Sequence, residues 1–176
     1  MSSPLDPIWD AYQTALDALK VVRRCATVPD VDEERPFRNT KFHRETEKAC
    51  EGLLRSAQEE LDDLFVLGLY AAFEARVREH LAHQGRLLRS AGSPDAEFGQ
   101  SLAEHFERYC DEDQKMDRVV ALFVHAVGKD LVAQVGHIRT HRHWVAHGRR
   151  GRTPPATQPI FAYGTLTAFL KSAKLI

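Results

Sequence analysis

Cysteine is scarce in this sequence and has no paired spacing. The 176 residues include three cysteines, Cys25, Cys50 and Cys110, and no CxxC motif. An odd and scattered set argues against a disulfide framework and favours a reducing compartment. We therefore expect a cytoplasmic protein.

Long apolar runs are also missing. No run approaches the roughly 20 apolar residues that a membrane-spanning helix needs. Residues 1–10, MSSPLDPIWD, have neither the basic nor the apolar region of a signal peptide. We expect no membrane anchor and no signal peptide.

Alternation of apolar and polar residues, the pattern of a half-buried strand, does not occur over a useful length. Apolar residues instead recur at helical spacing, and prolines fall in the predicted loops at residues 29–40, 90–99 and 151–160. The predicted helical segments are residues 7–28, 41–89, 101–110, 118–148 and 163–173. The sequence thus predicts one all-α domain over residues 1–176, an antiparallel bundle of four to five helices with a short C-terminal helix.

Segment 41–89 is predicted to lie at the centre of the bundle, because its middle, LFVLGLYAAFEARVREHL, is apolar on most sides. Its apolar side is predicted to include Leu53, Leu54, Leu61, Leu64, Phe65, Leu67, Leu69, Ala72, Phe73, Val77 and Leu81. In segment 118–148, Gly128 and Gly136 are weak points, and Gly148 is the predicted C-terminal stop.

Acidic residues are absent from the end of the chain. Residues 131–176 contain seven Lys and Arg and no Asp or Glu, whereas residues 1–130 contain 17 basic and 25 acidic residues. A segment of charge +7 joined to one of −8 suggests an anionic partner for the basic end. The alternative is that the two parts neutralise each other within the fold or across a dimer.

The basic end contains the run RTHRHWVAHGRRGR, residues 139–152, with five arginines and three histidines. Histidine exchanges protons near neutral pH, and arginine presents a planar fork of donors to phosphate. RNA carries its own nucleophile, the 2′-hydroxyl, so these two side chains can cleave it without a metal. No serine or cysteine lies in a nucleophile-elbow context, and no glycine-rich phosphate loop occurs.

A metal site finds little support in the histidine spacing. His137/His141 and His143/His147 are i,i+4 pairs, but they point about 240° apart on a helix and cannot form one site. No acidic residue is near in sequence, and Trp144 stands where HExxH has glutamate. We expect neither a metal nor another cofactor.

The stretch RHWVAHG, residues 142–148, resembles the R-x(4–6)-H signature of the HEPN superfamily. A looser likeness extends over residues 58–172, through LYAAFEARVREHL and the closing helix. The resemblance implies a small all-α bundle and a metal-independent ribonuclease of the kind found in toxin–antitoxin and phage-defence systems. It also implies a homodimer with facing motifs, and makes an antitoxin or defence-system protein a candidate partner.

By this resemblance Arg142 and His147 are the catalytic pair. His143 occupies the polar position after the arginine, where the family usually has Asn, and is expected to help Arg142 hold phosphate. In some members a tyrosine two residues after the histidine is modified by a nucleotidyltransferase antitoxin. Arg149 stands there in this chain, which puts that route of neutralisation in doubt.

Arg142 and His147 are five residues apart, about 140° around a regular helix. They therefore converge only if the helix distorts or if two copies of the motif share one cleft. Arg139, His143 and His147 share a face, at about 0°, 40° and 80°.

Other side chains of the run are predicted to support the site. The substrate-positioning candidates are Arg139, Arg149, Arg150 and Arg152, with solvated charge at a helix end as the alternative for each. Trp144 could stack on a base or belong to the core or a dimer interface. Glu74, in an apolar context, needs a partner, and an arginine of the motif helix is the candidate.

Taken together, the residues predict an RNA endonuclease that leaves a 2′,3′-cyclic phosphate. The alternatives are a non-catalytic module that binds RNA, a nucleotide or a partner protein, and a purely structural helical dimer.

Overall fold

The computed structural model describes residues 3–27, 37–90, 96–110 and 115–176, and all regular structure in these ranges is helical. The all-α prediction is therefore confirmed. Two of the helices have only six and four residues, and the others have 14 to 44. The helices are α1 (Asp6–Thr27), α2 (Glu47–Ser90), α3 (Ala96–Cys110), α4 (Met116–Ala121), α5 (Val124–Val127), α6 (Lys129–Ala146) and α7 (Pro159–Ser172).

Helix α2 is the spine of the bundle, as the apolar middle of segment 41–89 predicts. Its 44 residues span about 66 Å, and α1, α3, α6 and α7 all pack against it. Val66, Tyr70, Phe73 and Val77 are buried at i, i+4, i+7 and i+11, the spacing of one helix face. They join buried side chains of α4, α6 and α7 in the main hydrophobic core.

Helix α1 runs antiparallel to α2. Tyr12, in the first half of α1, donates a 2.7 Å hydrogen bond to Asp62. Arg23, near the end of α1, forms a 3.0 Å ion pair with Glu51, which lies earlier in α2. The register of these pairs fixes the direction.

Helix α6 also runs antiparallel to α2. Val132, near its start, lines a pocket together with Tyr70, whereas His141, near its end, contacts Asp63. This direction carries the end of α6, where the basic run lies, toward the first half of α2.

Helix α7 runs parallel to α2. The rings of Phe73 and Phe169 pack edge to face with centroids 5.2 Å apart, and Arg76, further along α2, donates to the carbonyl of Leu175, just beyond the end of α7. Helix α7 is therefore antiparallel to α6, and the two cover the same part of α2.

The predicted helix over residues 118–148 is divided into α4, α5 and α6, so its continuity was predicted wrongly. A turn at Leu122 and Phe123 separates the first two, and Gly128, at φ 87°, separates α5 from α6. Only glycine adopts this backbone readily. Gly136, the other predicted weak point, lies inside α6.

Several predicted bounds and one apolar face differ from the structure. Residues 29–36 and 91–95 of the predicted loops, and residue 28 of the first predicted helix, lie outside the described residues, and residues 96–99 are already helical in α3. Leu53 and Leu64, predicted on the apolar side of α2, are 38% and 58% exposed. Each adjoins a more buried residue, Leu54 or Phe65, about 100° around the helix, and at these two positions it is the neighbour that faces the packed helices.

Within the described ranges, no helix combines the length and apolar character that crossing a membrane requires.

Candidate functional site

The basic run begins in the last turns of α6 and ends beyond it. His147 is the C-cap residue, and Gly148 follows at φ 71°. The N–H of Gly148 donates to the carbonyl of Val145 over 3.0 Å, and the N–H of Arg149 donates to that of Trp144 over 2.8 Å. These bonds form a Schellman motif, so Gly148 is the helix stop that the sequence predicts.

The two exposed histidines of the run lie side by side. His143 and His147 are one turn apart, and their ring centroids are 4.1 Å apart. Both side chains are open to solvent. An accessible imidazole at a helix end can exchange protons with a bound molecule.

Arg142 lies on a different side of α6. Its side chain is half-buried, and its guanidinium carbon is 5.7 Å from the centroid of the Tyr70 ring. Among the described residues it has no ion-pair partner, and no hydrogen bond joins it to His147. Because α6 stays regular through Ala146, the predicted catalytic pair does not converge within one chain.

Arg149 is held by two carboxylates of α2. Its guanidinium donates to Glu60 over 2.5 Å and to Asp63 over 2.7 Å. The hydrogen bonds to Glu60 and Asp63 raise the pKa of Arg149 further above its ordinary value, and the same contact lowers the pKa of Glu60. Arg149 therefore anchors the turn after His147 to the spine of the bundle.

Asp63 also binds a buried histidine, His141, which the sequence suggested only as half of an i,i+4 pair and not as part of this site. His141 is 3% exposed, and its Nε2 lies 2.9 Å from Asp63 Oδ1. The carboxylate thus bridges His141 and Arg149, on either side of the predicted catalytic His147. The available sequence signal was the Asp62-Asp63 pair directly before the apolar middle of α2, where a partly buried carboxylate requires a partner.

The remaining arginines of the run divide into paired and unpaired groups. Arg139 forms an ion pair with Asp117 of α4. Arg150 and Arg152 are exposed and, like Arg142, have no carboxylate partner among the described residues. The basic segment is therefore neutralised only in part by the rest of the fold.

Glu74 has a different partner from the one expected, and the role of Trp144 stays open. Glu74 accepts a 2.9 Å hydrogen bond from Arg78, one turn along its own helix, and not from an arginine of the motif helix. Trp144 is half-buried, with its ring centroid 5.9 Å from that of His141. Its indole N–H is buried and has no hydrogen-bond partner among the described residues.

No group of three or more His, Cys, Asp or Glu side chains in the described ranges is arranged to hold a metal ion. Of the histidines at i,i+4 spacing, His141 is engaged by Asp63, and His143 and His147 face solvent as a pair.

Comparison with protein-family models, with curated proteins and with solved structures gives no match to this chain. Its function must therefore be argued from the side chains themselves.

Proposed function

We propose that the protein is a metal-independent RNA endonuclease of the HEPN type, acting in the cytoplasm, with a site shared by two copies of the chain. The observation that carries the proposal concerns the surroundings of two side chains, Arg142 and His147. No carboxylate among the described residues neutralises Arg142, and the ring of His147 is open to solvent beside His143. An arginine without a carboxylate partner and an accessible imidazole are what metal-free cleavage of RNA requires.

The need for a second copy follows from the helix geometry. Arg142 and His147 are about 140° apart around α6, and α6 is regular up to the residue before His147. A two-fold axis beside the end of α6 brings Arg142 of one copy toward His147 of the other. The unpaired Arg150 and Arg152 of both copies then add positive charge around a single cleft.

The reaction uses the hydroxyl of the substrate itself. One imidazole takes the proton of the 2′-hydroxyl, the 2′-oxygen attacks the phosphorus, and the bond from phosphorus to the 5′-oxygen breaks. The leaving oxygen takes a proton from an imidazolium, and Arg142 stabilises the charge on the phosphoryl oxygens. The products are a 2′,3′-cyclic phosphate and a 5′-hydroxyl, and His147 serves as the base or the acid.

Cleavage of end-labelled RNA in EDTA tests the reaction. Arg142→Ala and His147→Ala are each expected to lower the rate at least about 100-fold, because each removes a group needed in the transition state. Arg55→Ala and His125→Ala, exposed residues outside the run, are the matched controls. Activity that needs added metal, or that survives both site substitutions, contradicts the proposal.

Mixing two inactive variants tests the shared site. A heterodimer of Arg142→Ala and His147→Ala chains contains one site with both side chains intact. With random exchange of subunits, the mixture should recover about a quarter of the wild-type activity. No recovery in a mixture that demonstrably exchanges subunits would show that the site is not shared.

The second candidate is a non-catalytic module that binds RNA, a nucleotide or a partner protein through the same basic surface. It is favoured by the lack of contact between Arg142 and His147 in one chain. Turnover separates the two candidates, since both predict salt-sensitive RNA binding. An antitoxin or defence-system partner remains part of the first candidate, and it would act by a route that does not use a tyrosine at position 149.

A further inference from the structure

A pocket of about 220 Å³ lies between α2, α4 and α6, one turn before Arg142. Its apolar walls are Val120, Val132 and Val135. Its polar groups are the side chains of Tyr70, Asp117 and Arg139. The volume is below the range of roughly 300–1,000 Å³ typical of drug-sized ligands, so it suits one small flat group.

Two polar atoms at this pocket have no hydrogen-bond partner among the residues that the structure describes. Tyr70 is 1% exposed, and its hydroxyl is buried without a partner. The Nε of Arg139 is in the same condition, although the far end of that guanidinium binds Asp117. Buried polar groups in folded proteins are nearly always hydrogen-bonded, so both atoms lack a partner that a ligand in the pocket would supply.

The polar groups of the pocket differ in whether they donate or accept hydrogen bonds. Arginine can only donate hydrogen bonds, and an ionised aspartate can only accept them. Burial raises the pKa of Tyr70, which keeps its hydroxyl protonated and able to donate at neutral pH. The pocket therefore offers two donors next to one acceptor, between apolar walls.

We propose that this pocket binds an RNA base with a ring carbonyl beside an N–H, which is uracil or guanine. The carbonyl accepts from Tyr70 and Arg139, the N–H donates to Asp117, and the valines pack on the ring. Adenine and cytosine present a donor and an acceptor in the reverse order at the same edge. This inference rests on the endonuclease proposed above and assigns it a base preference.

The location agrees with a base that is adjacent to the scissile phosphate. The guanidinium of Arg142 lies against the ring of Tyr70, with its central carbon 5.7 Å from the ring centroid. A nucleotide whose base enters the pocket would therefore carry its phosphate to the predicted catalytic arginine.

Binding of UMP, GMP, CMP and AMP to the intact protein, measured by calorimetry in EDTA, tests the preference. We expect UMP or GMP to bind at least about tenfold more tightly than CMP and AMP, the effect of one or two discriminating hydrogen bonds. Tyr70→Phe should weaken that binding about 3- to 10-fold, whereas Tyr163→Phe, outside the pocket, should leave it unchanged. Asp117→Asn should abolish the preference.

Gly136→Val gives an independent check, because it narrows the pocket and changes none of the polar groups. An added Cβ there meets no other atom within 4 Å, so the variant is expected to fold and to lose nucleotide binding. Equal binding of all four nucleotides, or unchanged binding in Tyr70→Phe, would mean that water alone occupies the pocket, and the inference would be wrong.

The test of the base-binding pocket can be separated from the test of RNA cleavage. In the His147→Ala variant, the preference for UMP or GMP should persist although RNA is no longer cut. RNA cleavage that shows no base preference, in a protein that binds no mononucleotide selectively, would overturn the pocket and leave the endonuclease standing.

Discussion

At the scale of single residues, Asp62 and Asp63 show how neighbouring carboxylates acquire different properties. Asp63 accepts hydrogen bonds from Arg149 and contacts His141, whereas Asp62 accepts one from Tyr12. Burial raises the pKa of Asp62 above its usual range, and the hydrogen bond from Tyr12 offsets this only in part. The folded protein therefore binds a proton at Asp62 more tightly than the unfolded chain does.

The substitution Asp62→Asn should stabilise the protein at neutral pH relative to acid pH. A carboxyl with a raised folded-state pKa lowers the free energy of unfolding as pH rises through the window between its unfolded and folded pKa values. The amide of the variant side chain cannot ionise, so the variant does not lose unfolding free energy in this way as pH rises. The amide oxygen can still accept the hydrogen bond from Tyr12. Thermal melts of both proteins at pH 4 and pH 7 should show a gain for the variant that is larger at pH 7.

Asp10→Asn, which changes an exposed carboxylate of α1, is the control. A difference between Asp62→Asn and wild type that is larger at pH 4 than at pH 7 would contradict the assigned pKa direction.

At the scale of elements, α6 and α7 end in the same way with different residues. Each has a Schellman motif with a left-handed residue after the C-cap, Gly148 at φ 71° and Lys174 at φ 57°. Glycine adopts this backbone freely, whereas a residue with a Cβ is strained by about 1 kcal/mol or more.

Gly148→Ala should therefore lower the free energy of unfolding by about 1 kcal/mol, and Lys174→Gly should raise it by up to about 1 kcal/mol. Denaturant unfolding measures both. Because Gly148 lies between His147 and Arg149, its substitution should also reduce RNA cleavage. Gly164→Ala, inside α7 with open space around an added Cβ, should stabilise slightly. Destabilisation by Lys174→Gly would contradict the cap assignment.

The helices were largely predictable because their signals are local. Apolar periodicity places α1 within one residue at each end, and Gly148 marks the end of α6. The turn at Leu122 and Phe123 was missed, since neither glycine nor proline marks it. Its residues continue the apolar pattern of a helix, and packing against the rest of the bundle sets the break.

For the candidate site, the sequence predicted which residues are involved but not how they are arranged. Spacing along one helix gives the angle between Arg142 and His147, but it does not give their partners. The contact of His141 with Asp63 joins residues 78 positions apart, and no local pattern encodes such a pair. Which arginines are neutralised, and which stay available, became visible only in the folded chain.

At the scale of the whole molecule, stability depends on an aromatic cluster where α2, α7 and the turn after α4 meet. Phe73 is fully buried, with its ring 5.2 Å from Phe169 and 5.8 Å from Tyr70. Phe169 in turn packs against Phe123 at 5.6 Å. Removal of the Phe73 ring therefore leaves a cavity between α2 and α7.

Phe73→Ala should cost about 3–5 kcal/mol of stability and lower the melting temperature by roughly 10 °C. Leu64→Ala, on the same helix but exposed, should change stability by less than about 0.5 kcal/mol. Calorimetric melts of both variants check the contrast. Equal effects would mean that Phe73 does not lie at the centre of the core.

Some arginines of the basic run are paired with carboxylates and others are not, and the salt dependence of RNA binding should differ between the two groups. In a His147→Ala background, replacing both Arg150 and Arg152 by Ala should make the salt dependence of RNA binding weaker. The slope of the logarithm of the binding constant against the logarithm of the salt concentration should fall in magnitude by about 1.4 for single-stranded RNA. Arg149→Ala should change the slope less, because Glu60 and Asp63 already hold that guanidinium. Fluorescence anisotropy titrations over a range of salt concentrations measure the slopes, and equal slopes would contradict this division.

The length of α2 has a consequence for how the molecule opens. Residues 47–65 of α2 pack against α1 and bury two side chains fully, Cys50 and Leu54, whereas Val66, Tyr70, Phe73, Val77 and Leu81, from the middle of the helix onward, are enclosed by the main core. Local fluctuations can therefore fray the first turns while the remainder stays closed. In deuterated water, amides near residue 50 should exchange well before those of residues 66–81, which should be released only by global unfolding.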